Sequence, residues 1–539
     1  MIVQLASVLF FSFLVLHGRG FLIFLGKVSN LKFFRSNLSL LPLYGLLSIV
    51  LLSNQLFLLN YFFSTKSVIL FFLFFNIFFL LQNISLRINS FKNIYYLILP
   101  ITLSVSTFGQ NIHPDADWYG IPYQFLIRNS KIIVGTNIID WPMSQTGIMD
   151  YLMSIFWLNN NFVLVHFIVV SVFSCLFIFL INSLLNPKNK FFYFFSFYIF
   201  IFSFLDNFGI SGGANSFVKI QMTGKFDSVQ AIYMVITFVN LVYLLQKKEI
   251  AKEDYLILSI LFLYIVQLKT TGIAFGFSFI VLCFYFKKYN RISLTKLFKV
   301  NIVPIFLAIL WFLRNILVMG CLSFPVEVSC LNFSWTQKEK VQETALIISE
   351  WYEAYTIGDN IISWFSQWFI IDKNYQQFGN FIISLLILLG FFIIFVNKKR
   401  SQYFYLYFFQ IFIGLLLWLV SAPTPRFAFG YFTLTAGIFA LFSSSFKLNI
   451  FNKKLIIYPL VIVSIILTNR LYSYQDYLQS TFEVPQINSL KIDQINSNDY
   501  FIAGKVITVD CNNLLPCNLD FSNYLTSQKF SYLILIPQD

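Results

Sequence analysis

The chain has 539 residues, of which 58% are hydrophobic, 20% aromatic and only 11% charged, with a mean hydropathy of +0.74 and a formal net charge of +14. Soluble globular proteins carry about 45–50% apolar and about 25% charged residues, so this composition excludes a water-solvated globule and also a disordered chain. The positive charges are scattered between apolar runs, which argues against nucleic-acid binding. We therefore predict a membrane protein.

Apolar runs of near-spanning length follow one another along the chain. A helix needs roughly 20 apolar residues to cross a bilayer core, and fewer when neighbouring helices shelter it. The runs are continuous, which favours helices over the alternating strands of a barrel. They predict an all-α polytopic membrane protein with about 12–14 transmembrane helices. The candidate runs are 1–16, 39–60, 67–84, 93–108, 162–184, 191–205, 228–246, 255–268, 271–286, 301–320, 378–397, 402–421, 428–446 and 455–469. The first run either stops at residue 16 or continues through His17 and Arg19 to Leu25.

The charges between the runs predict an orientation. One set of connecting segments carries 22 basic and three acidic residues, whereas the rest of the chain carries 15 basic and 20 acidic residues. The positive-inside rule places the first set in the cytoplasm. Its members are 17–38, 85–92, 185–190, 247–254, 287–300, 398–401 and 447–454. They are too short for a nucleotide-binding domain, and no phosphate-binding glycine motif occurs where it would work.

The remaining segments are predicted to face outward. They comprise the loops 109–161, 206–227 and 320–377 of a polytopic domain at 1–469, followed by an extracytoplasmic cap at 470–539. Runs of Val, Ile and Leu predict strands in that cap. Two close cysteine pairs, Cys321 with Cys330 and Cys511 with Cys517, also lie on this side. We predict two local disulfides, with four free thiols as the alternative.

An acidic motif opens the first outer loop. Asp115 and Asp117 flank Ala116 and precede Trp118 and a mostly apolar stretch, which predicts a short interfacial helix. Two carboxylates at a membrane surface are expected to bind a cation, to pair with basic groups or to transfer protons. The alternative is that Asp117 merely caps the helix.

Five basic residues are candidates for binding an anion at the outer face. A glycine-rich loop carries two of them, whose alternative role is a flexible connection, and three others stand near the ends of apolar runs. Charges near membrane depth are rare and often functional, and the planar fork of Arg matches a phosphate. The alternatives for the last three are snorkelling or pairing with Asp115 or Asp227. The candidates are Lys219, Lys225, Lys269, Arg314 and Arg426.

Apolar positions between Gln337 and Asn360 follow helical spacing. This pattern predicts an interfacial amphipathic helix, which either shapes an entrance for a lipid substrate or covers the bundle.

These features resemble the GT-C class of integral-membrane glycosyltransferases. The resemblance rests on an acidic motif just after a span, an interfacial helix behind it and basic residues at outer helix ends. More specifically, four stretches are similar to a little-characterised bacterial branch of GT-C-like proteins linked to surface-polysaccharide synthesis. They are Asp115-Ala-Asp-Trp-Tyr119, Arg314–Pro325, Pro423-Thr-Pro-Arg-Phe427 and Cys511-(x5)-Cys517. The interposed Ala116 departs from the adjacent acidic pair of the class.

The resemblance implies transfer of a sugar from a polyprenyl-phosphate carrier to a glycan or lipid-linked acceptor, at the extracytoplasmic face of a bacterial inner membrane. Asp115 or Asp117 would be the general base and would also hold a divalent cation, Mg²⁺ or Mn²⁺, if one is used. The five basic residues would neutralise the leaving phosphate. Two other hypotheses remain at this stage, a many-span polysaccharide polymerase or ligase and a secondary transporter.

Overall fold

The computed structural model describes most of the helical part of the chain and four short strands near its end. The described residues are 2–29, 40–82, 95–105, 107, 115–138, 141–157, 162–186, 188–207, 224, 226–247, 250–290, 293–395, 403–443, 498–502, 505–509, 524–529 and 532–537.

Helices dominate the described residues. In chain order they are α1 Ile2–Ser29, α2 Leu40–Asn60, α3 Ile69–Leu81, α4 Tyr95–Ser104, α5 Ile121–Asn129, α6 Met149–Met153, α7 Val163–Leu185, α8 Lys190–Asn207, α9 Asp227–Lys247, α10 Lys252–Leu268, α11 Phe275–Asn290, α12 Leu294–Val300, α13 Ile302–Met319, α14 Lys338–Tyr352, α15 Ile361–Ile370, α16 Asp372–Phe395, α17 Phe404–Ser421, α18 Phe429–Gly437 and α19 Ala440–Ser443.

Within the described ranges, nine helical stretches are long and apolar enough to cross a membrane. Three shorter apolar helices accompany them, at Ile69–Leu81, Lys190–Ser203 and Ile361–Ile370. The prediction of a mainly α-helical, polytopic membrane protein is therefore confirmed. The last predicted run, 455–469, lies outside the described residues.

The most enclosed helices are α7 and α9, where 89% and 94% of the most apolar stretch is buried, against 17% in the span that contains most of α16. Packing therefore places α7 and α9 in the centre of the bundle and leaves α16 at its periphery. We name the two ends of the bundle after the predicted orientation. At the outer face, the amide of Asn60 at the end of α2 donates to the carbonyl oxygens of Ile127 and Ser130, which ties the first outer loop to the bundle.

The first helix is longer than the run 1–16, and it contains part of the segment 17–38 that was assigned to a cytoplasmic loop. α1 continues to Ser29, so the longer of the two predicted spans is the correct one. Its polar residues are tolerated because they are enclosed: His17 is bonded to the Ser48 hydroxyl through Nδ1 at 2.8 Å and to Asn76 Oδ1 through Nε2 at 2.7 Å.

The segment 337–360 forms one amphipathic helix, but that helix is shorter than the predicted stretch. α14 ends at Tyr352, Glu353 adopts a left-handed conformation with φ 49°, and α15 begins at Ile361 after a turn. Asn360 caps α15 by accepting from the backbone N–H groups of Ile362 and Ser363.

Two antiparallel hairpins form in the C-terminal segment. β1 (Asn498–Ile502) pairs with β2 (Lys505–Val509), and β3 (Tyr524–Lys529) pairs with β4 (Tyr532–Pro537). β4 lies against the short 3₁₀ turn Thr136–Ile138 of the first outer loop. β1, β2 and β4 overlap the apolar runs Tyr500–Val509 and Phe530–Ile536 that predicted strands, whereas β3 lies outside both runs. β4 lies beside a loop of the outer face.

Candidate functional site

The acidic motif forms a π-helical turn, Ala116–Gly120, with Asp115 at its start and α5 directly after it. Asp115 makes no capping hydrogen bond, and Gly120, not Asp117, is the residue that precedes α5. The capping role considered for Asp117 is therefore wrong, because this residue lies inside the π turn. Its side chain lies outside the described part of the structure. π-helical turns are rare and occur frequently at functional sites.

Ala116 is buried beneath this turn against the second outer loop. Gly224 has φ +85°, and a Cβ placed on it would lie 2.3 Å from Ala116 Cβ. Neither residue has room for a larger side chain unless the other moves. The alanine between the two acids is thus the contact that holds the π turn beside the start of α9.

Two ion pairs meet at this point of the outer face. Arg426 Nη2 lies 3.4 Å from Asp115 Oδ2, and Lys269 Nζ donates to Asp227 Oδ1 at 2.6 Å. The sequence left pairing with Asp115 or Asp227 as an alternative role for Lys269 and Arg426. The structure contains both pairs. The side chain of Asp227 is only 4% exposed, whereas those of Asp115 and Arg426 are 31% and 22% exposed. The two cations are similarly exposed, and of the two carboxylates Asp115 is the accessible one.

Phe427 links the two cations. Lys269 Nζ lies 3.8 Å and Arg426 Cζ 4.8 Å from the centre of its ring, and the Tyr352 ring packs edge-on against it at 5.3 Å. An aromatic face beside a cation contributes about 0.5–2 kcal/mol and excludes water from the pair. We call Asp115, Asp227, Lys269, Arg426 and Phe427 the outer charge cluster.

Two tyrosines border the outer charge cluster and remain protonated. Burial raises the pKa of Tyr119 far above its usual value, and the carboxylates of Asp115 and Asp227 raise it further. Burial also raises the pKa of Tyr352, although its hydrogen bond and attraction to Arg426 act in the opposite direction. Both hydroxyl groups are thus hydrogen-bond donors at physiological pH.

Neighbouring helices fix the position of Lys269. The amide of Gln230, in α9, donates to the carbonyl oxygens of Ile265 and Lys269 at 3.1 Å each and accepts from the Thr271 hydroxyl at 2.9 Å. The Tyr431 hydroxyl donates to the carbonyl oxygen of Thr271 at 2.7 Å. These hydrogen bonds therefore fix the conformation of the turn between α10 and α11.

Two buried indoles fix the position of Arg426. Trp368 Nε1 donates to the carbonyl oxygen of Pro423 at 3.1 Å, and Trp418 Nε1 donates to that of Thr424 at 2.8 Å. Trp368 is 1% exposed. Prolines flank the segment on both sides of Thr424 and restrict its backbone. Arg426 is consequently presented from a rigid 3₁₀ turn, Pro425–Ala428, at the start of α18.

Arg314 occupies a different environment. It is fully buried, its Nη2 donates to the Tyr123 hydroxyl at 2.6 Å and to Thr146 Oγ1 at 2.7 Å, and its Nη1 donates to Asn315 Oδ1 at 3.1 Å. None of these partners belongs to the outer charge cluster. The guanidinium therefore joins α13 to the first outer loop in this structure.

Asp150 accompanies Arg314 and was missed in the sequence. Its carboxylate accepts from Gln124 Nε2 at 2.8 Å and from the Gly147 N–H at 2.9 Å, and burial raises its pKa from 3.8 to about 6. Arg314 lowers this pKa in part. The available signal was one acidic residue in the short helical stretch that carries Met149 and Tyr151.

A disulfide joins Cys321 and Cys330 just after α13. The other predicted pair, Cys511 and Cys517, lies outside the described residues, as do Lys219 and Lys225.

The outer charge cluster does not fit a divalent cation. Asp115 and Asp227 are each already paired with a cation, and the positive charges of Arg426 and Lys269 oppose a metal ion there. Over the residues that the structure describes, no group of three or more His, Cys, Asp or Glu side chains could hold a metal ion. The predicted cation site at Asp115 and Asp117 stays a prediction, because the side chain of Asp117 lies outside the described residues.

Comparison with known proteins gives one match. No curated protein and no solved structure matches this chain. One family does match, described as a domain of unknown function, DUF8201, and its match extends over residues 1–433. That stretch contains the π turn, both ion pairs and the Pro423–Phe427 segment. The chain belongs to the DUF8201 family.

Proposed function

We propose that this protein is a membrane glycosyltransferase that transfers a sugar from a polyprenyl-phosphate donor to an acceptor hydroxyl at the extracytoplasmic face. The observation that carries the proposal is the accessible Asp115–Arg426 pair, with Lys269 beside it across Phe427. A carboxylate and two cations in contact are the groups that such a transfer requires, a base for the acceptor and a counter-charge for the leaving phosphate.

The resting cluster is neutral overall, so a donor phosphate has to displace a carboxylate from a cation. A donor phosphate competes with the Asp115 carboxylate for Arg426, whose 3.4 Å contact is long for a charge-assisted hydrogen bond. Because the buried Asp227 keeps Lys269 in place, the positive charge stays oriented while the phosphate enters. Asp115 is then released from Arg426 with its negative charge intact.

In the chemical step, the acceptor oxygen forms a bond to the anomeric carbon while the bond from that carbon to the phosphate oxygen breaks. Asp115 takes the proton of the acceptor hydroxyl, a role that Asp117 can also fill from the same turn. Arg426 and Lys269 stabilise the charge that develops on the departing polyprenyl phosphate. The tyrosine hydroxyls of Tyr119 and Tyr352 remain donors to the sugar or the phosphate throughout.

The lipid part of the donor would approach past α15. This helix exposes Ile361, Ile362 and Ile370, while its buried Trp368 supports the segment that carries Arg426. A lipid-facing apolar surface next to a charged pocket suits an isoprenoid with a phosphate head. α15 lies outside the predicted amphipathic stretch 337–360, whose role as an entrance or a cover stays a prediction.

The test compares variants in a deletion strain and in vesicles that contain purified protein. Replacing Asp115 and Asp117 together by Asn should lower transfer of a labelled sugar by about 10²–10⁴-fold, and Arg426→Gln by about 10²–10³-fold. Asp359→Asn is the matched control, because Asp359 is exposed and bonded to Thr356 of its own turn.

The lipid-linked species that accumulates separates the candidate functions. Polyprenyl phosphate bearing a single sugar, accumulating in the deletion strain and in both site variants, supports the proposal. Accumulation of lipid-linked oligosaccharide points to a polymerase or ligase instead. Full transfer by the Asp115 and Asp117 double variant, or solute uptake by the vesicles without any transfer, would overturn the proposal.

A further inference from the structure

Arg19 is a buried cation at the opposite end of the bundle from the outer charge cluster. It lies in α1, is 8% exposed, and its Nη1 has no hydrogen-bond partner among the described residues. Leaving a charged donor buried without a partner costs several kcal/mol. A buried guanidinium of this kind is stabilised by a nearby negative charge.

The surrounding helices contain no acidic residue that could supply it. α1 packs against α2, α3, α4 and α7, and the sequences of all four lack Asp and Glu. The first acidic residue of the entire chain is Asp115, at the outer face. Tyr44 interacts electrostatically with Arg19, but its hydroxyl is not an anion at neutral pH.

The geometry places Arg19 at the predicted cytoplasmic face. Gly18 packs so closely against α2 that a Cβ there would lie 1.9 Å from the carbonyl oxygen of Tyr44. Tyr44 is 16 residues before Asn60, the outer end of α2, which corresponds to about 24 Å along a helix. Arg19 therefore lies towards the predicted cytoplasmic end of the bundle.

The polar groups next to Arg19 already take part in other hydrogen bonds, so Arg19 is the group that can bind an anion. His17 uses both ring nitrogens on Ser48 and Asn76, and Asn76 Nδ2 donates to the Phe72 carbonyl oxygen. Lys27, two turns further along α1, is exposed and donates to Gln82 at 2.9 Å. Among the described residues, this neighbourhood thus adds positive charge at its rim and no negative charge inside.

We propose that Arg19 binds the phosphate group of an anionic ligand at the cytoplasmic end of α1 and α2. Phosphate is the anion that matches the planar guanidinium fork through two parallel hydrogen bonds. A phospholipid headgroup of the cytoplasmic leaflet and free inorganic phosphate share this chemistry. The site is separate from the outer charge cluster and does not depend on the proposed transferase activity.

The experiment measures the thermal unfolding midpoint of the full-length protein, delipidated in a nonionic detergent. Phosphatidylglycerol, diacylglycerol with the same acyl chains, and inorganic phosphate are added separately. The variants are Arg19→Met, Arg19→Lys and, as a control with the same loss of charge on the same helix, Lys27→Met.

The proposal predicts a crossover between wild type and Arg19→Met. Without added anion, Arg19→Met is at least as stable as wild type, because it removes a buried charge that lacks an acidic partner on the packed helices. With phosphatidylglycerol, wild type and Lys27→Met gain stability, and the apparent affinity of Arg19→Met falls by at least about tenfold. Arg19→Lys, which keeps the charge and loses the fork, gives an intermediate gain.

Both phosphate sources are distinguishable. A gain with phosphatidylglycerol alone identifies a lipid headgroup, and a gain with inorganic phosphate as well identifies any accessible phosphate; each outcome supports the proposal. An equal gain with diacylglycerol, a gain of Arg19→Met equal to that of wild type, or a lower stability of Arg19→Met in the absence of anion overturns it. The wild-type comparison of the two lipids remains decisive if Arg19→Met does not fold.

Discussion

At the residue scale, the sequence predicted more members of the outer charge cluster than of any other part of the site. Asp115, Lys269 and Arg426 were candidates because charged residues near membrane depth require an explanation. Arg426 pairs with Asp115 and Lys269 with Asp227 through contacts between residues far apart in the chain, and a single sequence does not specify which acid meets which cation. Tyr119 and Tyr352 were not candidates, since a tyrosine beside an apolar run has no distinctive pattern until its neighbours are known.

The contact between Ala116 and Gly224 leads to a prediction about the π turn. Gly224→Ala adds a Cβ 2.3 Å from that of Ala116 at a φ of +85°, so the turn that carries Asp115 must shift. We expect a loss of about 1–3 kcal/mol in stability and a large loss of sugar transfer. Gly358→Ala is the control, because Gly358 also has a positive φ, +115°, with no atom within 4 Å. Equal activity of the two variants would show that the contact does not position Asp115.

The raised pKa of Asp150 leads to a prediction about pH dependence. A carboxyl group whose pKa rises from 3.8 to about 6 on folding contributes stability below pH 3.8 that is lost as the pH rises through 6. The limit of this contribution is about 3 kcal/mol, since one pKa unit corresponds to roughly 1.4 kcal/mol. The unfolding midpoint of wild type should therefore fall relative to that of Asp150→Asn between pH 4 and 7.

Asp359 provides the contrast for that measurement. Its pKa is lowered by the hydrogen bonds that it accepts from Thr356, so its contribution is present above the unfolded pKa and is lost as the pH falls. A comparison of Asp359→Asn with wild type should therefore show the opposite sign of pH dependence. A flat difference for Asp150→Asn would mean that the buried carboxyl does not titrate in this range.

At the element scale, the apolar runs located the helices better than they located their ends. The end of α1 was left open between residue 16 and Leu25 because a His and an Arg are also typical of loops, whereas bonds to Ser48 and Asn76 enclose the His inside the bundle. α14 was predicted to extend as far as Asn360 and α15 was not predicted, since the turn between them depends on the conformation of Glu353 and on the Asn360 cap. Such ends are decided by tertiary contacts and caps rather than by hydropathy.

The hydrogen bond from the Trp368 indole in α15 to the Pro423–Phe427 segment leads to a prediction about α15. Trp368→Phe keeps the ring and removes the donor to the Pro423 carbonyl oxygen, so Arg426 loses part of its positioning. We expect sugar transfer to fall by about tenfold or more, with a loss of about 1–3 kcal/mol in stability. Trp364→Phe, on the same helix, removes a bond to the Glu353 carbonyl oxygen and should retain most activity. Similar losses in both variants would assign Trp368 a general packing role.

At the scale of the whole molecule, the charge distribution and the fold describe the same two-ended bundle. The ion pairs, the disulfide and the π turn gather at one end, while Lys27 and Arg19, whose Nη1 has no partner among the described residues, lie at the other. The amino-acid composition identified lipid as the solvent, and the charge bias predicted which end faces the cytoplasm. How Arg314 joins α13 to the first outer loop could not be foreseen, because its partners are neutral hydroxyl and amide groups without a charge signal.

The orientation itself can be measured by cysteine labelling. In a variant that keeps only the Cys321–Cys330 disulfide, with the other four cysteines replaced by Ser, a new cysteine is placed at one exposed position. Val328→Cys and Ile357→Cys should react with a membrane-impermeant maleimide in intact cells, because these side chains are 93% and 100% exposed on outer segments. Ser293→Cys, exposed in the basic segment between α11 and α12, should react only after the membrane is permeabilised. The reverse pattern would place the outer charge cluster in the cytoplasm, where a lipid-linked donor would have to be presented by the inner leaflet and the phosphate site at Arg19 would face outward.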